Sequence, residues 1–135
     1  MLKKTITYED YNGVERTEDH YFNLSKAELM EMELGVSGGM TEMIQRLIAA
    51  QDGPAIAQVF KDLILKSYGQ KSADGKRFIK VENGRRLADD FIETEAYSQL
   101  FMELATNADA AANFMKAIMP ADLVEKSSIP APPVK

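Results

Sequence analysis

The sequence contains no cysteine and only one histidine, His20. The first absence excludes disulfides and thiolate metal sites. The second leaves any zinc site to be built mostly from carboxylates, an unusual donor set. No apolar run is long enough to cross a bilayer, and Met1-Leu2-Lys3-Lys4 leads into alternating strand residues rather than the apolar stretch of a secretory leader. Positive charge is also scarce: 16 Lys and Arg stand against 21 Asp and Glu, a net charge of −5. That balance disfavours a nucleic acid partner, because neutralising phosphates takes clustered cations. The one basic cluster, Lys76, Arg77, Lys80, Arg85 and Arg86, reads as a solvated loop and helix start. What remains is a 135-residue chain, 45% hydrophobic and 27% charged, which suits one folded domain with an adequate core in the cytoplasm.

Catalytic patterns are lacking as well. No nucleophile accompanies His20, which falls on an expected strand opposite Lys4, where a like charge discourages its protonated form. Glu28 with Glu31, and Asp89 with Glu93, share helix faces. They read as solvated surface, since nothing near them implies a pocket that would raise a carboxyl pKa. Asp89-Asp90 lacks the alternating oxygen donors of an EF-hand loop. Gly35, Gly38 and Gly39 precede a helix but are not followed by the Lys-Ser/Thr of a phosphate loop, so they read as a hinge. The sequence therefore reads as a non-enzyme, with no catalytic, cofactor-binding or metal-binding residues.

Strong local patterns are present at the N-terminus. Tyr11-Asn12-Gly13 fits a three-residue hairpin loop with Gly13 left-handed. That register pairs Tyr8 with Arg16, Ile6 with Glu18 and Leu2 with Phe22. It gathers Leu2, Ile6, Tyr8, Val14, Phe22 and Leu24 on one face and leaves Thr5, Thr7, Thr17 and Asp19 wet. A two-stranded sheet needs cover from the rest of the chain. Ser25-Lys26-Ala27-Glu28 is a capping box opening a helix that ends at Gly35 in a left-handed stop. Met40, Met43, Ile44, Leu47 and Ile48 have helical spacing. A further helix starts with Pro54 in its first turn, carries Ile56, Val59, Phe60, Leu63, Ile64 and Tyr68 inward, and stops at Gly69. The last two helices should pack antiparallel.

Gln70 to Lys76 reads as a polar loop with a turn at Asp74-Gly75, and Phe78 to Val81 as a third strand or an extended segment. Arg85 to Ile92 reads as helix. Thr94 caps the next helix, with Tyr97, Leu100, Phe101 and Leu104 inward. Asn107 or Asp109 opens a last one bearing Ala111, Phe114, Met115 and Ile118, before Pro120. The expected fold is α+β, mainly α: an N-terminal β-hairpin packed on a bundle of about five to six helices. Residues 1–124 form the single domain, and 125–135 a flexible Pro-rich tail.

Methionine is the one residue type whose placement suggests a contact surface. Met30, Met32, Met40 and Met43 cluster around the glycine joint, and methionine packs adaptably against varied apolar partners. Each of them also suits plain core filling. As a set with Leu29 they would line a groove able to take an apolar helix from another chain; Leu29, Met30, Met32, Met40 and Met43 are the candidate partner-binding residues.

The order of segments resembles a known family. Thr5-Ile6-Thr7-Tyr8-Glu9-Asp10-Tyr11-Asn12-Gly13 and Phe22-Asn23-Leu24-Ser25-Lys26-Ala27-Glu28-Leu29 are similar to the start of the tail assembly chaperones of long-tailed bacteriophages of Gram-positive hosts. Ser72 to Lys80, Thr94-Glu95-Ala96-Tyr97, Phe101 to Ala108 and Ile118-Met119-Pro120 resemble its later blocks. The likeness spans about residues 5 to 120, and none of its blocks is a catalytic motif. It implies a protein without enzymatic activity or cofactor that binds the helical, apolar tape measure protein in the host bacterial cytoplasm and is not retained in the mature virion. A longer, frameshifted form of the chain is a further partner it implies, and the methionine set leaves self-association as another; neither nucleic acid nor membrane is expected. The alternative function is a minor virion component, such as a tail completion or connector protein.

Overall fold

The hairpin forms as its sequence predicts. Strands β1 (Leu2–Glu9) and β2 (Glu15–Phe22) pair antiparallel in the bulged-loop register, with Leu2 opposite Phe22, Ile6 opposite Glu18 and Tyr8 opposite Arg16. Gly13 has φ +77°, the left-handed value its loop position requires. Asp10 clasps the loop: its Oδ1 accepts from the backbone N–H of Asn12 at 2.8 Å and Val14 at 3.0 Å, while Oδ2 pairs with Arg16. The outer face is the expected polar one, with Thr5 donating to Asp19 at 2.7 Å and Thr7 bonded to Thr17 at 3.0 Å. Val14 departs from expectation. It lies in the loop beyond the last ladder pair, Glu9 and Glu15, and is half exposed rather than part of the apolar face.

This is a computed structural model that describes residues 1–35 and 39–119, without the side chains at 40, 41, 44, 47 and 48. Helix α1 (Lys26–Leu34) opens on the predicted capping box, Ser25 Oγ accepting from Glu28 N–H and Glu28 Oε1 from Ser25 N–H. Its apolar residues form no stripe, and none is fully buried. Gly35 is not left-handed: at φ −82°, ψ −4° it ends the helix in right-handed geometry, its N–H donating to Glu31 C=O at 3.1 Å. The positive φ near this joint belongs to Gly39, at +86°; Val36, Ser37 and Gly38 lie outside the described residues. Helix α2 (Gly39–Ala49) packs against α3 (Gly53–Ser67), whose first turn holds Pro54 and whose N-terminus is capped by the Asp52 carboxylate.

The end of α3 corrects the sequence reading. Tyr68 still donates its N–H to Ile64 C=O, the bond that makes it look helical, but its φ −66°, ψ 136° are extended. Tyr68–Lys71 is therefore strand β3, paired with β2 through Tyr21–Gly69 and Phe22–Tyr68. Gly69 acts here as a contact site rather than a helix stop. A Cβ at Gly69 would sit 2.5 Å from the Phe78 ring and 2.6 Å from Ile79 C=O, so only glycine lets β3 meet its other neighbour. That neighbour is β4 (Phe78–Ile79), and the sheet order is β1-β2-β3-β4. Phe78 thus joins a strand, as the fourth rather than the third.

Residues Asn83 and Gly84, both at positive φ (54° and 76°), close a second small hairpin of β5 (Val81–Glu82) and β6 (Arg85–Arg86). This overturns the helix expected from Arg85: Asn-Gly dictates a tight turn, and the helix, α4 (Leu87–Phe91), starts two residues later. Thr94 caps α5 (Glu95–Thr106) as predicted, and of the two expected starts for the last helix it is Asn107, not Asp109, that caps α6 (Ala108–Ile118). Pro120 and the Pro-rich tail lie outside the described residues.

The core fills the space between the inner face of the sheet and the helices. Ile6, Tyr8, Phe22 and Leu24 meet Leu63, Ile64, Phe91, Ala96, Leu100, Leu104, Ala111, Phe114 and Ile118. Phe22 lies edge-on to the rings of Tyr68, Phe91 and Phe114, and Tyr68 stacks on Phe91 at 4.2 Å. Among the described residues the result is the α+β, mainly α architecture, with the N-terminal hairpin extended into a four-stranded sheet that packs against α3, α4, α5 and α6.

Candidate functional site

A trough runs between α1 and α3. One half, of about 330 Å³, is lined by Glu31, Met32, Gly35, Met43, Val59, Asp62, Leu63 and Lys66. The other, of about 310 Å³, shares Glu31, Met32 and Lys66 with it and continues past Leu24, Glu28, Leu65, Tyr68 and Lys80. Along the trough α1 runs from Glu28 to Gly35 while α3 runs back from Lys66 to Val59, so the two walls are antiparallel. At 1.5 Å per residue the α1 wall is about 10 Å long, two helical turns.

Polar ties hold α1 in place where burial does not. Lys80 Nζ donates to both Glu28 carboxylate oxygens, at 2.8 and 2.7 Å, and to Lys66 C=O at 2.7 Å. Partial burial pushes the Glu28 carboxyl up, but Lys80 and the Ser25 N–H outweigh it and leave the group below the usual carboxylate value.

The five candidate residues do not all meet. Met32 and Met43 line the trough together. Leu29 is half-buried and Met30 is 56% exposed, and neither belongs to the lining. On a helix, position 30 projects away from the face shared by 28, 31, 32 and 35. Met40's side chain lies outside the described residues. Sequence reasoning missed the α3 wall, although Val59, Asp62, Leu63 and Lys66 at i, i+3, i+4 and i+7 are its signal.

The basic cluster is largely neutralised within the chain. Lys80 pairs with Glu28, Arg85 with Asp90 and Glu93, and Arg86 with Asp89. Among the described residues no group of three His, Cys, Asp or Glu could hold a metal ion, and no helix is long and apolar enough to cross a membrane.

His20 is a packing residue. Its ring lies 5.0 Å from that of Phe91, and Nδ1 shares a 3.0 Å hydrogen bond with the Tyr68 hydroxyl. Nε2 is buried without a hydrogen bond, 3.5 Å from a Glu18 oxygen that already accepts from Tyr8 at 2.7 Å. Burial pushes the imidazole below its ordinary 6.5, against an opposing pull from Glu18. Lys4, directly opposite, is not the cause, because its ammonium turns to Glu103 at 2.9 Å. Burial also pushes the Tyr68 hydroxyl up to about 12.

The depressed imidazole has a stability consequence. Below pH 6.5 the unfolded chain binds a proton at His20 that the folded chain resists, so stability falls as pH drops towards the lowered folded value. Asp10 and Glu28 lose their contributions only further into acid, below 3.8 and 4.5. Urea midpoints measured between about pH 7 and pH 5.5 are expected to decline, and His20→Phe to flatten that decline. An unchanged slope in the variant would contradict the assignment.

A family model described as phage tail assembly chaperone matches residues 1–133. No curated protein and no solved structure matches the chain.

Proposed function

The chain belongs to the phage tail assembly chaperone family, and on that premise we propose that it binds apolar helical stretches of the tape measure protein and keeps them soluble in the cytoplasm of a Gram-positive host until the tail tube forms. The trough between α1 and α3 is the grip. Its floor is Met32, Met43, Val59 and Leu63, and its rims are charged. Removing Leu-sized side chains of a client from water contributes about 1.5–3 kcal/mol each, and methionine adapts to side chains of different shape.

The observation that carries this reading is that α1, one wall of the trough, has no fully buried residue. It is fixed by its cap and the Glu28–Lys80 pair, the kind of element that yields locally at low cost to admit a client. The function needs no bond making or breaking and no cofactor. The chain dissociates once the tail tube is complete rather than staying in the virion. A longer frameshifted form that keeps these residues would present the same trough. Co-expression is expected to raise the soluble fraction of tape measure protein several-fold; unchanged aggregation would count against the proposal.

A further inference from the structure

The trough has a sign as well as a shape. Among the described residues, half of the six charged groups that line it are already compensated: Glu28 and Lys80 by each other, and Arg86 by Asp89. Three exposed rim groups have no ion-pair partner, namely Glu31 on α1, and Asp62 and Lys66 on α3. Asp62 accepts only from the neutral Gln58 amide, at 2.9 Å. Lys66 offers its carbonyl, not its ammonium, to Lys80. Two uncompensated carboxylates therefore face one ammonium, and the carboxylates stand on opposite walls.

We propose that the trough selects an amphipathic helix whose two-turn apolar ridge is bordered on both sides by lysine or arginine. This rests on the trough being the client site. Such a client lays its apolar ridge on Met32, Met43, Val59 and Leu63. The aliphatic stems of its basic side chains cover the edges of that floor, and their heads reach Glu31 on one side and Asp62 on the other. A second copy of α1 is a poor occupant. That helix carries Glu28, Glu31 and Glu33 against Lys26 alone, and would set carboxylate against carboxylate in a chain of net charge −5.

The test uses two synthetic amphipathic peptides with the same leucine ridge at i, i+3, i+4 and i+7, one bordered by lysine and the other by glutamate, titrated against the full chain by fluorescence anisotropy. At low salt the lysine peptide is expected to bind about five- to tenfold more tightly. The preference should vanish near 1 M salt, where the Debye length is about 3 Å, and in the double variant Glu31→Gln, Asp62→Asn, whose exposed sites leave the fold intact. Equal affinities for both peptides at low salt, each weakened by Met32→Asp, would overturn charge selection and leave the trough standing. Failure of both peptides to bind would remove the trough reading itself.

Discussion

Phe22→Ala is expected to lower stability by about 3–5 kcal/mol, the range for truncating a well-packed aromatic in a core. Phe22 is fully buried at the point where the hairpin meets everything else. Its backbone pairs with Leu2 on one side and Tyr68 on the other. Its ring meets Tyr68, Phe91 and Phe114, so strand β3 and helices α4 and α6 all converge on it. Whole domains are stable by only about 5–15 kcal/mol, so the variant would sit near the edge of folding. Urea denaturation of Phe22→Ala beside Val14→Ala checks this. The half-exposed loop residue should change stability by no more than about 0.5 kcal/mol. A loss below about 1 kcal/mol at Phe22 would mean that the sheet is not seated on the helices as described.

Local chemistry made the hairpin and the caps legible in the sequence. Gly13 and the alternation of Ile6, Tyr8 and Phe22 allow one register only, because a slip by one residue would turn the apolar set into water. Ser25, Thr94 and Asn107 each satisfy an orphan helix donor, and each starts a helix in the structure. The failures occur where two local signals overlap. Tyr68 completes the i, i+4 apolar series from Ile64 and keeps its helical hydrogen bond, yet pairing with Phe22 pulls its dihedrals into a strand. Asn83-Gly84 carried the correct turn signal, but the helical spacing after Arg85 masked it. Val14 obeys the strand alternation but lies beyond the paired residues. In the trough, Met32 and Met43 come together across two helices, whereas Met30 projects elsewhere. Linear clustering of methionines does not encode which helix face each occupies, and the charged α3 wall contains no methionine to mark it.

The second large effect concerns the grip itself. Met32→Asp places a carboxylate on the trough floor, where an apolar client would have to cover it without a partner. Losing even one side chain's worth of apolar burial is about 1.5–3 kcal/mol, a ten- to hundredfold loss of affinity. Met32 also touches the core, so a melting curve must accompany the variant. Met30→Asp is the matched control: the same chemistry on the same helix, but at an exposed position outside the lining. Titration of an apolar tape measure segment into the wild-type chain and these two variants is therefore the most direct test of whether α1 and α3 form the client site. The account predicts saturable binding that Met32→Asp weakens about ten- to hundredfold and Met30→Asp leaves within about twofold. Binding that both variants retain equally, or no binding by the folded wild-type chain, would contradict it.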